Sequence, residues 1–173
     1  MKKLLLVLLS TLLVSCLGYP ETVKPVTDFQ LQSYLGKWYE IARLDHKFER
    51  GMDNVTADYS LRDGGGIKVK NRGFSEKDGK WEEAVGKAFF VEGENLGYLK
   101  VSFFGPFYGS YVIFELDSEE YSFVCGPDTT YLWLLSRKPT ISEELKLKFV
   151  KRVEALGFDS SKLIWVNQDK NDA

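Results

Sequence analysis

The chain has 173 residues, enough for one domain that buries a core without metals or disulfides. Hydrophobic residues make up 44%, charged residues 28% and aromatic residues 14%, the profile of a globular protein rich in strands. The formal net charge is −2, or −4 once Lys2 and Lys3 go with the leader described below. With no Lys/Arg-rich stripe in the sequence, that balance argues against a nucleic-acid partner.

Residues 1–15 read as a targeting segment. Lys2 and Lys3 precede an apolar run, Leu4 to Val14, that is too short to span a bilayer. It ends in Leu13-Val14-Ser15-Cys16, which resembles the bacterial lipobox. That resemblance implies cleavage before Cys16 and diacylglycerol on its thiol. Leu17 rather than Asp in the next position implies, by the same sorting logic, an outer-membrane address facing the periplasm. Each methylene that such an anchor buries contributes about 0.8 kcal/mol. Residues 16–27 hold two prolines and no periodicity and read as lipidated Cys and tether; 28–173 read as the folded domain. With Cys16 lipidated, Cys125 has no disulfide partner, and a lone strand cysteine reads as a small buried hydrophobe.

A short helical turn over 28–35 is expected to cap the fold. Strands follow near 37–45, 54–62, 66–74, 80–91, 97–104, 109–117, 120–126 and 129–137, separated by turns such as Asp63-Gly64-Gly65-Gly66 and Lys77-Asp78-Gly79. Eight antiparallel strands joined by hairpins predict an all-β, up-and-down barrel; a β-sandwich is the structural alternative. Thr140-Ile141-Ser142-Glu143 matches a capping box, and Leu145, Phe149, Val153 and Leu156 recur at helical spacing until Gly157. This C-terminal helix is expected on the barrel's outer wall. A short strand, 163–166, and a loose polar tail end the chain.

Alternation of faces assigns the interior. It turns Val55, Ala57, Tyr59 and Leu61 inward on the second strand, Ala84, Gly86, Ala88 and Phe90 on the fourth, and Leu99, Val101 and Phe103 on the fifth. On the sixth it selects Val112, Phe114 and Leu116, because Glu115 should face water; on the eighth it selects Tyr131, Trp133 and Leu135. The small residues leave room that bulky ones would fill, so Tyr59, Ala84, Ala88, Leu99, Val101, Phe103, Phe114, Tyr131 and Trp133 are the candidate ligand-cavity lining. A filled core is the alternative. The open-end loops should be His46–Asp53, Glu76–Lys80, Gly105–Gly109 and Gly126–Thr129. They carry Phe48, Phe107 and Tyr108, apolar groups that fit a lipid entrance, a bilayer or a second copy of the chain.

Gly36-Lys37-Trp38-Tyr39 at the first strand and Ser136-Arg137-Lys138-Pro139 after the last resemble the lipocalin family. With the lipobox, Phe104-Gly105-Pro106-Phe107-Tyr108-Gly109 and Cys125-Gly126-Pro127-Asp128, the resemblance narrows to bacterial outer-membrane lipocalins. It implies that Gly36, Trp38 and Arg137 are structural, with Trp38 plugging the closed end and Arg137 packed across it. It further implies binding of fatty acids or (lyso)phospholipids and storage or transport in envelope maintenance under stress; the apolar rim, not the resemblance, leaves a homodimer open. No cofactor is expected, nor an enzyme. The single histidine, His46, cannot build a triad or multi-histidine metal site and reads as a surface residue, and Asp63-Gly64-Gly65-Gly66 lacks what a phosphate loop needs. A structural lipoprotein with a filled barrel, or a lipid-modifying enzyme acting through Cys125, are the competing functions.

Overall fold

A computed structural model describes residues 17–170. The strands are β1 (Gly36–Arg43), β2 (Met52–Leu61), β3 (Ile67–Ser75), β4 (Lys80–Phe90), β5 (Tyr98–Ser102), β6 (Gly109–Asp117), β7 (Tyr121–Cys125), β8 (Leu132–Ser136) and a two-residue β9 (Ile164–Trp165). Each of the first eight pairs antiparallel with its sequence neighbour, and β1 pairs with both β2 and β8, closing an eight-stranded barrel. Closure leaves no full-length edge, which removes the usual route to edge-to-edge aggregation. The expected eighth strand is shorter than read: Thr129 to Tyr131 belong to the preceding loop, held by Asp128, whose carboxylate accepts from Thr130 N at 2.8 Å.

Two openings remain in the wall. Below Tyr39, β1 pairs with β2; above it the two diverge, and the C-terminal segment fills the gap. Val166 N donates to Ile41 O, Asn54 N to Asn167 O, and the Gln168 amide to Glu40 O and Val55 O. The tail expected to be loose therefore forms, at Asn167 and Gln168, a seam between strands. The second opening lies at β4, whose Lys80–Gly86 half extends beyond the end of β5 at Ser102.

The helix α1 (Leu31–Tyr34) plugs the closed end, and α2 (Glu143–Ala155) packs outside. Its N-cap is Ser142, whose hydroxyl accepts from Leu145 N, so the capping box starting at Thr140 does not form. Gly157, at φ +89°, ends the helix in a conformation that favours glycine. Leu145, Phe149 and Val153 bury against the wall, with the Phe149 and Phe123 ring centroids 4.8 Å apart. Full burial of each such side chain contributes about 1.5–3 kcal/mol. Glu115, facing outward as expected, ties the helix down through Lys148 at 2.8 Å and Arg152 at 3.2 Å.

The wall thus separates two apolar clusters, one inside the barrel and one beneath α2. The segment read as a tether joins the second: Val23 is buried there, Thr22 donates to Leu156 O, and Val26 pairs with Gly97 and Ile113. Cys16 lies outside the described residues.

Candidate ligand cavity

At the closed end Trp38 is completely buried, and its indole N–H donates to Tyr34 O at 2.8 Å. The Arg137 guanidinium sits 3.7 Å from the Trp38 ring centroid and donates to the carbonyls of Ser33, Leu35, Lys37 and Ser118. Gly36 adopts φ +94°, and a Cβ there would lie 3.6 Å from the guanidinium. These contacts give the three residues a structural part in the plug.

Above the floor the interior narrows to aromatic rings. Tyr34, Tyr111 and Tyr59 form a hydroxyl chain with successive O–O separations of 2.7 Å, and Tyr34 also meets the Ser122 hydroxyl at 3.2 Å. Burial pushes Tyr34 up to about 12 and the other two phenols well above their usual range, so all three stay neutral donors. Ile113, Val124, Leu99, Ala88 and Leu135 complete this layer.

The mouth half differs. Val101, Phe103 and Trp133, toward the open ends of β5 and β8, belong to the interior cluster yet remain half-buried, as do Ala57, opposite Trp38 on β2, and Tyr111 of the tyrosine layer. Ala84 shares their inward row through its pairing with Asn71, but is exposed because β5 stops short of it. Tyr131 stands at the rim, stacked on Trp133 with centroids 6.2 Å apart. Phe48 and Phe107 protrude from the rim loops, 63% and 76% exposed, and Tyr108 packs beside Phe89.

Three inward assignments fail. Phe114 is buried beneath α2, stacked on Phe158 and tilted against Phe123, and Val112 joins it there. The cause is a β-bulge between Ile113 and Glu115, which inserts one residue and reverses the alternation. Tyr111 and Ile113 face inward before the bulge, and Leu116 after it. Leu61, at the closed end of β2, is 57% exposed rather than internal. A groove of about 530 Å3 at the closed end is lined by Val26, Phe29, Gln30, Ser33, Phe114 and Leu116, so Phe114 borders the plug rather than the mouth.

Sequence reasoning missed a charged cluster beneath the rim. A bulge between Glu40 and Ala42 puts Glu40 and Arg43 on one face. They form an ion pair of 2.7 Å, at 3% and 2% exposure. Arg43 also donates to Glu49 O and Met52 O, leaving it committed to protein partners rather than to a ligand phosphate. His46 is buried, not on the surface: its ring contacts Trp133, Tyr131 and Phe48, and Nε2 lies 3.0 Å from Glu49 Oε2. The Trp133 indole donates to the same carboxylate at 3.2 Å. Burial and the neighbouring Glu49 push Glu40 well above the carboxylate range. Burial pushes Glu49 up too, but the His46 contact and charge, with help from Glu40 and Trp133, hold it below that range. Of the two carboxyls, Glu40 is thus the one whose protonated form is favoured. The available signal was the doubled spacing Glu40-x-x-Arg43 and His46-x-x-Glu49 at a strand end.

Cys125 is fully buried on the α2 side, and burial pushes its thiol up to about 12. Held as a thiol away from the interior, it lacks the thiolate that nucleophilic chemistry needs.

Comparison with known proteins agrees with this geometry. Residues 29–168 match the lipocalin-like domain family. The chain is 61% identical over 170 residues to the outer membrane lipoprotein Blc of Vibrio cholerae, covering 97% of this chain and 99% of that one. It is 53% identical to the protein of the same name from Escherichia coli K12, covering 86% and 85%. Among solved structures, insecticyanin from the tobacco hornworm superposes with a TM-score of 0.72 at 24% identity, covering 88% of each chain. Barrel, plug and sequence relatives together place the chain in the lipocalin family.

Proposed function

We propose that the protein binds a single-chain lipid, a fatty acid or a lysophospholipid, in the mouth half of the barrel. The observation that carries this reading is the partial exposure of Val101, Phe103 and Trp133, inward-facing apolar groups toward the open ends of β5 and β8. An acyl chain laid against them replaces water on apolar surface, worth roughly 25 cal/mol per Å2. The tyrosine layer below, filled and internally hydrogen-bonded, sets the depth the tail reaches. Phe48 and Phe107 stand at the entrance, whereas Tyr108, expected there too, lies over Phe89, Lys87 and Lys100 on the outer wall. The lipobox at residues 13–16 and the relatives named outer membrane lipoproteins support lipidation of Cys16 and an outer-membrane location.

The test is titration of the domain with a fluorescent fatty acid, competed by unlabelled lysophospholipid, alongside an Ala57→Phe variant that fills the cavity. Saturable uptake that the variant loses supports the reading. No uptake by the unmodified domain moves the assignment to a filled, structural barrel. The exposed Phe48 and Phe107 also favour a second copy meeting mouth to mouth; sedimentation velocity of the domain with and without lipid tests that assembly.

A further inference from the structure

The outer wall of β3–β5 carries charge that nothing inside the protein balances. Lys68 on β3 and Lys87 on β4 are direct cross-strand partners, Lys100 lies one strand over, and Arg62 stacks 5.8 Å above the ring of Phe89, the partner of Lys100. None of these four cations forms an ion pair among the described residues. Nearby cations do: Lys70 and Arg72 share Glu83, and Lys170 holds Glu76. Like charges directly opposite on a sheet are destabilising, and here they stand on a protein whose net charge is negative. Beside them, the Tyr108 ring sits 5.8 Å from Lys87 Nζ and 5.2 Å from Lys100 Nζ. The same loop projects Phe104 and Phe107, 72% and 76% exposed.

The path of the chain fixes what meets this face. Gly18 N donates to Tyr98 OH at 2.9 Å and to Ser110 Oγ at 3.0 Å. Ser110 is the cross-strand partner of Lys100. Cys16 lies two residues upstream, within about 7 Å of chain even when extended. An acyl anchor on that residue therefore enters its bilayer beside Lys100 and the β5–β6 loop.

We infer that the cationic outer wall of β3–β5, with Phe104 and Phe107 at its rim, is a docking surface for a bilayer containing anionic phospholipid. Lys68, Lys87, Lys100 and Arg62 meet the headgroup phosphates, and the two phenylalanines enter the acyl boundary. The barrel mouth is thereby held at the membrane from which its ligand comes. The position of the anchor rests on the reading of Cys16 above; the charge and the exposed rings do not.

Residues 17–173 contain every described strand and helix and both apolar clusters, so that domain, which carries no acyl chain, holds the whole described core. Its cosedimentation with vesicles of phosphatidylcholine alone, and of phosphatidylcholine with phosphatidylglycerol, tests the surface directly. The expected result is binding to the phosphatidylglycerol vesicles that weakens with salt, the Debye length being about 8 Å at physiological ionic strength. Lys87→Glu with Lys100→Glu should weaken it about tenfold or more, and the milder Lys87→Gln with Lys100→Gln by less, each basic group being a separate attraction to the surface. Lys138→Glu with Lys151→Glu, the same charge change elsewhere, should bind more tightly than the Lys87/Lys100 reversal. Fatty-acid uptake in solution should survive the lysine changes, because both side chains leave the barrel outward; loss of uptake in the unmodified domain would fault the cavity reading alone. Equal binding to both vesicle types, or equal effects of the two double reversals, would overturn the inference. So would a domain that ignores vesicles and forms a dimer broken by Phe107→Ser, which would assign the rim to a second copy.

Discussion

The two ends of the barrel solve opposite problems with similar residue types. At the closed end an indole and a guanidinium meet, and the donors of both find carbonyls within 2.7–3.1 Å. At the mouth a second indole and a second buried guanidinium recur in Trp133 and Arg43, yet their partners include a buried carboxylate, a half-buried one and an imidazole. Neutral carbonyls make a plug indifferent to pH. Ionisable partners make the rim respond to it, and the half-buried apolar groups beside them leave that end reachable. The difference teaches that similar residue types can seal one end of a barrel and leave half-buried apolar groups at the other.

Removing the plug should have the largest effect. Trp38→Ala is expected to cost about 3–5 kcal/mol in urea unfolding, since it empties a fully buried indole site. An equal loss from Trp133→Ala would erase the contrast between the ends, because Trp133 is only half-buried. Ala57→Phe should abolish fatty-acid uptake while costing about 1–3 kcal/mol or less, the range for overpacking, because the side chain grows into accessible space. A larger cost with uptake retained would mean that the mouth half is already packed.

The pH response separates the ends further. The folded pKa of Glu40 lies above its unfolded value, so this group's contribution to stability is fully present below the unfolded pKa and is lost as pH rises through the folded one. Glu40→Gln mimics the protonated form and keeps an acceptor for Arg43. Its stability relative to the unmodified protein should therefore rise from acidic to alkaline pH in urea midpoints measured across that range. A flat difference would remove Glu40 as the titrating member of the pair. Ser142→Ala, on the outer helix and far from both ends, should cost about 1 kcal/mol and leave uptake unchanged.

The barrel was legible because glycine- and aspartate-rich turns punctuate eight runs of alternating polarity, and the closed end because Trp38 and Arg137 sit in recognisable surroundings. The face of β6 was not: Phe114 and Val112 alternate correctly with Leu116 on paper, and one bulged residue after Ile113 moves them to the other side of the wall. Nothing in the local pattern marks that bulge; the burial of Phe114 against Phe123 on β7 and Phe158 beyond α2 shows only once those elements are packed. Glu40, Arg43 and His46 were missed for a related reason. Charged residues on a strand are assigned outward by pattern, and only their mutual pairing, across a second bulge, makes burial tolerable. The tether and tail looked featureless because what orders them, backbone hydrogen bonds to Ile113, Gly97, Ile41 and Asn54 and single side chains such as Val23, Thr22 and Gln168, follows no periodic pattern.

The most direct test of the division between a sealed end and a receptive one is native mass spectrometry of the domain purified from a bacterial envelope, followed by organic extraction. The account predicts one co-purified fatty acid or lysophospholipid per barrel, displaced in the Ala57→Phe variant and retained when Ser142 is changed. An empty barrel that also refuses added fatty acid, or a lipid retained undiminished by Ala57→Phe, would contradict it.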